Sequence, residues 1–339
     1  MLTLTDFSFL LVTQATDLIR LLGVYNSIRS NYPENEIVIV YENRSDVKLN
    51  IADKNLIEVY TDKRVYVSEG YNLTLKNSTK RCFAFVHDDT YVAKNFLENI
   101  LPNVNEKQFC NFTTVEPPMY NNVDELRRPI KDFSRDPRAF NLKDFNRFCE
   151  EHCKKLETTV LDSPFGGFFM AGYKSSVMSV GGFDEYFKPY FHEDGDLMMR
   201  LHQAGYKFVQ ALNSLVYHMG SLTSRGTDES VVAHNTTRDL FLKKWKVPFE
   251  YIKQYTMAGG IPYKKIPVEI ECENCSRDLI NFVSLISEPG SEVKVRVDQS
   301  KMNKEDFEYI QTLPYVLQSI EEPGNYELGN LKINYRSNE

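Results

Sequence analysis

FSFLLVTQATDLIRLLGVYNSIRSNYPENEIVIVY, residues Phe7–Tyr41, is the stretch whose reading decides the fold. Phe7–Val12 is a continuous apolar run that ends in polar Thr13-Gln14-Ala15-Thr16, the form of a parallel strand buried on both faces and leading into a loop. Thr16 or Asp17 then caps a helix through about Ser30, with Leu18, Leu21, Leu22, Tyr25 and Ile28 on one face. Pro33-Glu34-Asn35 breaks that helix, and Glu36–Tyr41 is a second buried strand ending in the polar loop Glu42-Asn43-Arg44-Ser45-Asp46. Strand, helix and strand in about 35 residues make a βαβ unit, which implies an α/β domain around a largely parallel sheet.

The chain beyond keeps this grammar. Leu56–Tyr60 and Arg81–Val86 are further strands, with a helix over the middle of Glu69–Lys80 between them; Val86 runs directly into His87-Asp88-Asp89. A helix begins at Asn95 and is closed by Pro102, and Gln108–Val115 is strand-like. From Asn103 to Pro164 the pattern is weaker, with a polar helix around Leu142–Leu156; this segment suits a flap, an acceptor-side subregion or a structural insertion. Phe165–Gly172 reads as a Gly-punctuated strand, and Lys174–Val180 as a short helix ended by Gly181-Gly182. The next helix reaches about Ala204, capped by Gly205. Tyr206–Ala211 and Leu215–His218 are short strands, Ser221–Asp228 a polar loop and His234–Trp245 a helix. Composition shifts after Glu250, so a main domain over 1–249 and a small accessory α/β region over 250–339 are expected. The latter is read with strands at Val268–Glu271, Phe282–Ile286 and Val293–Val297 and a helix over Asn303–Leu313.

Composition narrows the function. A hydrophobic content of 42% with 26% charged residues is globular. The net charge of -7 argues against a nucleic-acid binder working through a broad basic face. It leaves room for a small anionic ligand held by local positive groups or a metal. Tyr and Phe, at 20 and 22, supply aromatic surface for core and for sugar stacking. The six cysteines are too few for a disulfide scaffold and read as free thiols in a reducing compartment. Cys272-x-x-Cys275 is half of a zinc-ribbon pattern without its second pair. Met1–Asp17 has no basic n-region, and no stretch reaches the about 18 apolar residues that span a bilayer, so a cytoplasmic protein, at most peripheral at a membrane, is expected.

The polar groups that carry chemistry sit at strand and loop ends: Glu42, Asp88-Asp89, Glu193-Asp194 and His218. Carboxylate oxygens suit Mg²⁺ or Mn²⁺, and Mn²⁺ also accepts imidazole, so Asp89 with His218 would supply two ligands and leave room for a diphosphate. A turn after a strand for Asp88-Asp89, an interior histidine for His218 and an acid-rich helix start for Glu193–Asp196 are the plainer alternatives.

These residues together resemble the inverting, metal-dependent GT-A glycosyltransferases of family 2. The first-strand loop is Val12-Thr13-Gln14-Ala15, the second Glu42–Asp46; the Arg-Asn-x-Gly-like helix start is Gly70-Tyr71-Asn72-Leu73, and the Asp-x-Asp-like motif is Val86-His87-Asp88-Asp89. The downstream match is closer: Gly181–Glu185, Glu193–Leu197, Gly205–Lys207 and Val216–His218, closing with Asn235, Phe241 and Lys244-Trp245. The chain departs from the family pattern at Val12, Gln14, Ala15, Glu42 and His87, which leaves the nucleotide base open.

The resemblance implies a GT-A fold, a nucleotide-diphospho-sugar transferase with a Rossmann-like mixed sheet flanked by helices. It also implies transfer of a sugar to a hydroxyl of a glycan, glycoprotein or glycolipid acceptor. Mn²⁺ or Mg²⁺ would sit on Asp89 and His218, and Thr13, Glu42, Asn72 and Asp88 would hold the donor, a UDP-sugar ahead of a GDP- or dTDP-sugar. Asp194 would be the general base, with Glu193 binding acceptor hydroxyls or serving as the base itself. Gly167, Tyr190 and His192 would face the acceptor, and Asp196 would cap the helix. A nucleotidyltransferase of related fold and a non-catalytic carbohydrate-binding protein are the competing readings. A homodimer is compatible with the accessory region.

Overall fold

The computed structural model describes residues 2–44, 49–119, 126–163, 167–220 and 227–245, together with strand segments at 266–272, 291–294, 297–298, 319–320, 324–328 and 331–335. The chain divides into two compact units, Met1–Val232 and Ala233–Glu339.

In the first unit the strands are β1 (Phe7–Thr13), β2 (Glu36–Tyr41), β3 (Leu56–Tyr60), β4 (Cys82–Phe85), β5 (Thr90–Val92), β6 (Gln108–Val115), β7 (Val160–Asp162), β8 (Met170–Tyr173) and β9 (Lys207–His218). The helices are α1 (Leu18–Asn31), α2 (Tyr66–Asn77), α3 (Phe96–Ile100), α4 (Leu142–Cys153), α5 (Lys174–Ser179), α6 (Glu193–Gln203) and α7 (Asp228–Trp245), the last running across the division between the units. One mixed sheet has the order β3-β2-β1-β4-β8-β6-β9-β5, with β7 added beside β9. The pairs β3–β2, β2–β1, β1–β4 and β6–β9 are parallel, and β8 is inserted antiparallel between the two parallel halves.

The apolar run of β1 works on both faces of this sheet, because successive side chains point to opposite sides. Phe7, Phe9 and Leu11 pack with Leu21, Val24, Tyr25 and Ile28 of α1 and with Phe96 and Leu97 of α3. Leu10 packs with Tyr71 and Leu75 of α2, Val177 of α5 and Leu197, Met198 and Leu201 of α6. Helices therefore cover both faces, giving the mixed α/β arrangement that the βαβ reading implies. Asp17 is the N-cap of α1, accepting from the backbone N–H groups of Ile19 and Arg20. The buried stripe of α1 differs from the sequence reading: Leu18 and Leu22 are about two-fifths exposed, and Val24 takes their place. Leu22 is about 100° around the helix from Leu21, enough to turn it off the sheet.

The expected pair of short strands at 206–211 and 215–218 is one strand, β9, interrupted by a bulge. Its register against β6 steps from Ala211 opposite Phe112 to Leu215 opposite Thr113. The extra residues are tied down: Ser214 Oγ donates to the Phe96 carbonyl and Asn99 Nδ2 to the Asn213 carbonyl. A bulge of this kind re-aims the strand beyond it, and the strand beyond it ends on His218.

In the second unit, beyond α7, the described strands are β10 (Ile266–Cys272), β11 (Ser291–Lys294), β12 (Val297–Asp298), β13 (Ser319–Ile320), β14 (Gly324–Leu328) and β15 (Leu331–Tyr335). They form a sheet of order β11-β10-β15-β14 and a β12–β13 pair. The strand expected at Phe282–Ile286, the helix at Asn303–Leu313 and the side chains of the Cys272–Cys275 pair lie outside the described residues. No described helix is long and apolar enough to cross a membrane.

Candidate active site

Strands β1, β2, β4, β6 and β9 end along one edge of the sheet, which is where open α/β sheets bind ligands. Thr13 lies opposite Tyr41, Leu10 opposite Phe85 and Val115 opposite Tyr217. The residues at or just past these ends, Thr13, Glu42, His87–Asp89, Glu116 and His218, are thereby gathered from across the chain.

At the β4 end, side chains one position apart take different partners. Asp88 accepts from Thr13 Oγ1 at 2.7 Å and from Arg20 Nη2 of α1 at 3.2 Å, all three buried. Burial pushes the Asp88 carboxyl up, the Arg20 guanidinium opposes that, and the charge of Asp89 adds to it. His87 and Asp89 converge instead with His218: one ligand atom from each of the three lies within 4.8 Å of the other two. The His87 ring rests against Phe168 and Phe169, with centroids 4.2 and 4.8 Å away.

His218 is oriented from behind. Its Nδ1 is 3.0 Å from both carboxylate oxygens of Glu116, which is buried, and its Nε2 is 3.5 Å from Asp89 Oδ1. An ionised carboxylate has only lone pairs, so Nδ1 carries the proton and Nε2 presents its lone pair on the side of Asp89, where it can bind a cation. Two imidazoles and one carboxylate, with one imidazole backed by a second carboxylate, are a set that fits a divalent cation of the Mn²⁺ kind better than Mg²⁺, which prefers all-oxygen ligands. Sequence reasoning put Asp89 and His218 here but read His87 only as a departure from Asp-x-Asp. The signal it missed is that an imidazole two residues before Asp89 can itself supply a ligand atom.

The acid pair begins α6. His192, with φ +65°, is the N-cap, and Phe191 before it has φ +78°, so the chain turns sharply into the helix. Asp194 is half-buried and its Oδ1 accepts from the Gly195 backbone N–H at 2.8 Å. Glu193 is buried, and among the described residues its Oε2 has no hydrogen-bond partner. Burial, then the neighbouring Asp194 charge, push the Glu193 carboxyl up; burial likewise raises Asp194 against the Gly195 N–H. After burial, the charges of Asp88, Asp89 and Glu193 all act to raise the Tyr71 phenol, whose hydroxyl donates to the Val86 carbonyl. The ring of Phe168 bridges the same ground, 4.9 Å from Tyr71 and 4.2 Å from His87.

Asp196, expected to cap the helix, does something else. It is fully buried four residues before Arg200, whose Nε donates to it at 2.8 Å and whose Nη2 pairs with it at 2.7 Å. Arg200 Nη1 donates to the carbonyls of Val180 and Gly182, both at 2.6 Å. From the other side Asn72 of α2 grips the same turn, accepting from the Phe183 N–H at 2.8 Å and donating to its carbonyl at 2.9 Å. Gly181 and Gly182 have φ +89° and +73°, and a Cβ on Gly182 would come within 2.5 Å of Asn72 Oδ1. The clamp is structural, so Arg200→Met, which removes one member of a buried ion pair and its bonds to the Val180 and Gly182 carbonyls, is expected to cost about 3–5 kcal/mol. Urea unfolding measures this, and a loss below about 1 kcal/mol, the ordinary worth of an exposed pair, would mean that the clamp is dispensable.

The remaining expected contacts fall as follows. Glu42 is buried, with Oε1 accepting from the Tyr66 N–H at 2.7 Å and lying 3.3 Å from Arg64 Nε, so it anchors the start of α2. The Asn72 amide is engaged by the turn just described and by Glu185. The Gly167 carbonyl accepts from Asn111 Nδ2 at 2.9 Å, and a Cβ there would meet nothing closer than 3.8 Å. Tyr190 packs its ring against Phe191 in the loop ahead of α6, and His192 is buried.

No family model matches the chain, and no curated protein sequence does. The chain is similar in fold to a solved structure of GalNAc-T7 with UDP, GalNAc and Mn²⁺, at TM-score 0.50 and 12% identity, covering 75% of this chain and 51% of that one. S. aureus TarS 1–349 in complex with UDP aligns at TM-score 0.46 and 12% identity, over 74% of each chain. TarS 1–349 alone aligns at TM-score 0.44 and 15% identity, over 62% of this chain and 60% of that one. The chain therefore spans about half of GalNAc-T7. At such identity the likeness is one of fold: a GT-A arrangement, a central, mostly parallel mixed sheet flanked by helices.

Proposed function

We propose that the chain is a metal-dependent, inverting glycosyltransferase that moves a sugar from a nucleotide-sugar donor to an acceptor hydroxyl. The observation that carries this reading is that His87, Asp89 and His218 converge at the carboxyl-end edge of a GT-A sheet, with a raised carboxyl pair at the start of α6. Thr13 and Arg20 hold Asp88 toward the donor's ribose. His87, Asp89 and His218 would hold Mn²⁺ ahead of Mg²⁺, and the cation supplies Lewis-acid neutralisation of the leaving diphosphate. Asp194 takes the proton of the acceptor hydroxyl while that oxygen attacks the anomeric carbon from the face opposite the diphosphate. The new C–O bond forms as the C–O bond to phosphate breaks, so the configuration inverts. Glu193, the more buried of the two and raised by burial and the Asp194 charge, holds its proton and donates to the acceptor. Asp194, half-buried and stabilised by the Gly195 N–H, is the more accessible base of the two. Residues 1–249 would hold this machinery, with 250–339 as an accessory region.

UDP-sugars are the favoured donors, in keeping with GalNAc-T7, solved with UDP, and a glycan, glycoprotein or glycolipid is the acceptor class. A panel of UDP-, GDP- and dTDP-sugars with and without Mn²⁺, scored by nucleotide release, tests the reading. One donor should turn over in a metal-dependent way. Release of pyrophosphate from a nucleoside triphosphate instead would point to nucleotidyl transfer, and binding without turnover to a carbohydrate-binding protein.

A further inference from the structure

The sequence offers no hint of Glu116, which the fold brings from 102 residues away to the back of His218. It is 4% exposed, and both its oxygens face one imidazole nitrogen at 3.0 Å. A carboxylate in such a place costs several kcal/mol unless a donor meets it, as order-of-magnitude transfer energies require. The described residues give its side chain no other hydrogen bond or ion pair. Its backbone is held independently: its N–H donates to the Pro129 carbonyl, and its own carbonyl accepts from the Lys131 N–H. The β6–β9 register places it: Val115 is opposite Tyr217, so the next residues along both strands, Glu116 and His218, come side by side.

We infer that Glu116 is a positioning residue for cation binding: it fixes the tautomer and ring orientation of His218 and raises the basicity of the Nε2 atom that faces Asp89. The inference rests on the reading of His87, Asp89 and His218 as cation ligands. Its chemistry is general, because an imidazole that donates its other N–H to a carboxylate is a stronger and better-aimed ligand than one that does not. Negative charge across that hydrogen bond also favours a cation on the far side of the ring.

The experiment measures Mn²⁺ affinity directly, with the metal alone and no sugar nucleotide, from the electron paramagnetic resonance signal of free Mn²⁺. The proteins are wild type, Glu116→Gln, Glu116→Asp and His218→Ala, with thermal melts on each. Gln keeps an oxygen that accepts from Nδ1 but removes the charge, so the fold should hold while the Mn²⁺ Kd rises about 10- to 100-fold. Glu116→Asp, charged but shorter, should fall between Gln and wild type. A structural role alone would lower the melting temperature and leave the Kd of the folded protein where it was. Equal Kd values for wild type and Glu116→Gln overturn the inference while the cation site stands. Absence of Mn²⁺ binding in wild type overturns the cation reading and this inference with it. Should Glu116→Gln not fold, the Kd of Glu116→Asp decides: a value equal to wild type overturns the inference.

Discussion

Asp194→Asn should lower kcat/KM by about 10²- to 10⁴-fold, the range for loss of a positioned general base, and make the protein more stable. The two effects share a cause. Asp194 and Glu193 are carboxyls whose affinity for protons is raised by burial, with the Asp194 charge adding to the rise in Glu193. From about pH 4, the ordinary carboxylate value, up to the raised folded-state value, the native protein holds protons that the unfolded chain has released. Across that window stability falls as pH rises, and above it the whole penalty is present. An amide at 194 does not ionise, so the variant gains nothing below pH 4 and most above the window. Each kcal/mol relieved reads as about 2–4 °C in melting temperature for a domain of this size. The wild-type kcat/KM should likewise climb with pH along a limb above the usual carboxylate range, with an apparent value that belongs to the pair. Glu193→Gln separates the roles: it should also stabilise, yet lose less activity than Asp194→Asn. The opposite order of losses would move the base to Glu193.

Removal of the cation should be as damaging. Chelation, or Asp89→Asn, is expected to reduce turnover by about 10²- to 10³-fold, comparable to deleting a main electrostatic stabiliser of a developing charge. His218→Ala should act mainly on metal affinity, so excess Mn²⁺ restores part of its activity. With two imidazoles in the cluster, Mn²⁺ should support more turnover than Mg²⁺ at equal concentration. Full activity in the presence of a chelator, with metal content checked by elemental analysis, would falsify the cation assignment.

Much of this site was legible in the sequence because apolar runs that end abruptly in acids report strand ends directly. Phe7–Val12, Glu36–Tyr41 and Arg81–Val86 did so, and the sheet edge followed from the βαβ rule. His218 was legible in the same way, as a strand end, and the acids of α6 as a cluster at a helix start. Illegible were features created by pairing across long stretches of chain. Glu116 meets His218 only through the β6–β9 register. The bulge at Leu212–Ser214, which made one strand look like two, exists because Phe96 and Asn99 tie it down. Asp196 looked like a cap because acids gather at helix starts, and its true partner, Arg200, is one helical turn on, in a spacing that equally suits a surface pair. Its complete burial is a property of packing, not of the local sequence.

The grip on the Gly181–Phe183 turn has a consequence for how mutational maps of this protein are read. Arg200 and Asn72 hold a turn ten residues ahead of the acid pair. Substitutions at either would let Glu193 and Asp194 wander and would score in an activity screen beside Asp194→Asn. A selection scored by function alone would then enlarge the apparent catalytic set with residues that act through the turn. Pairing each score with an abundance or melting measurement separates the groups, since loss of the grip lowers both signals while loss of the base lowers one and lifts the other.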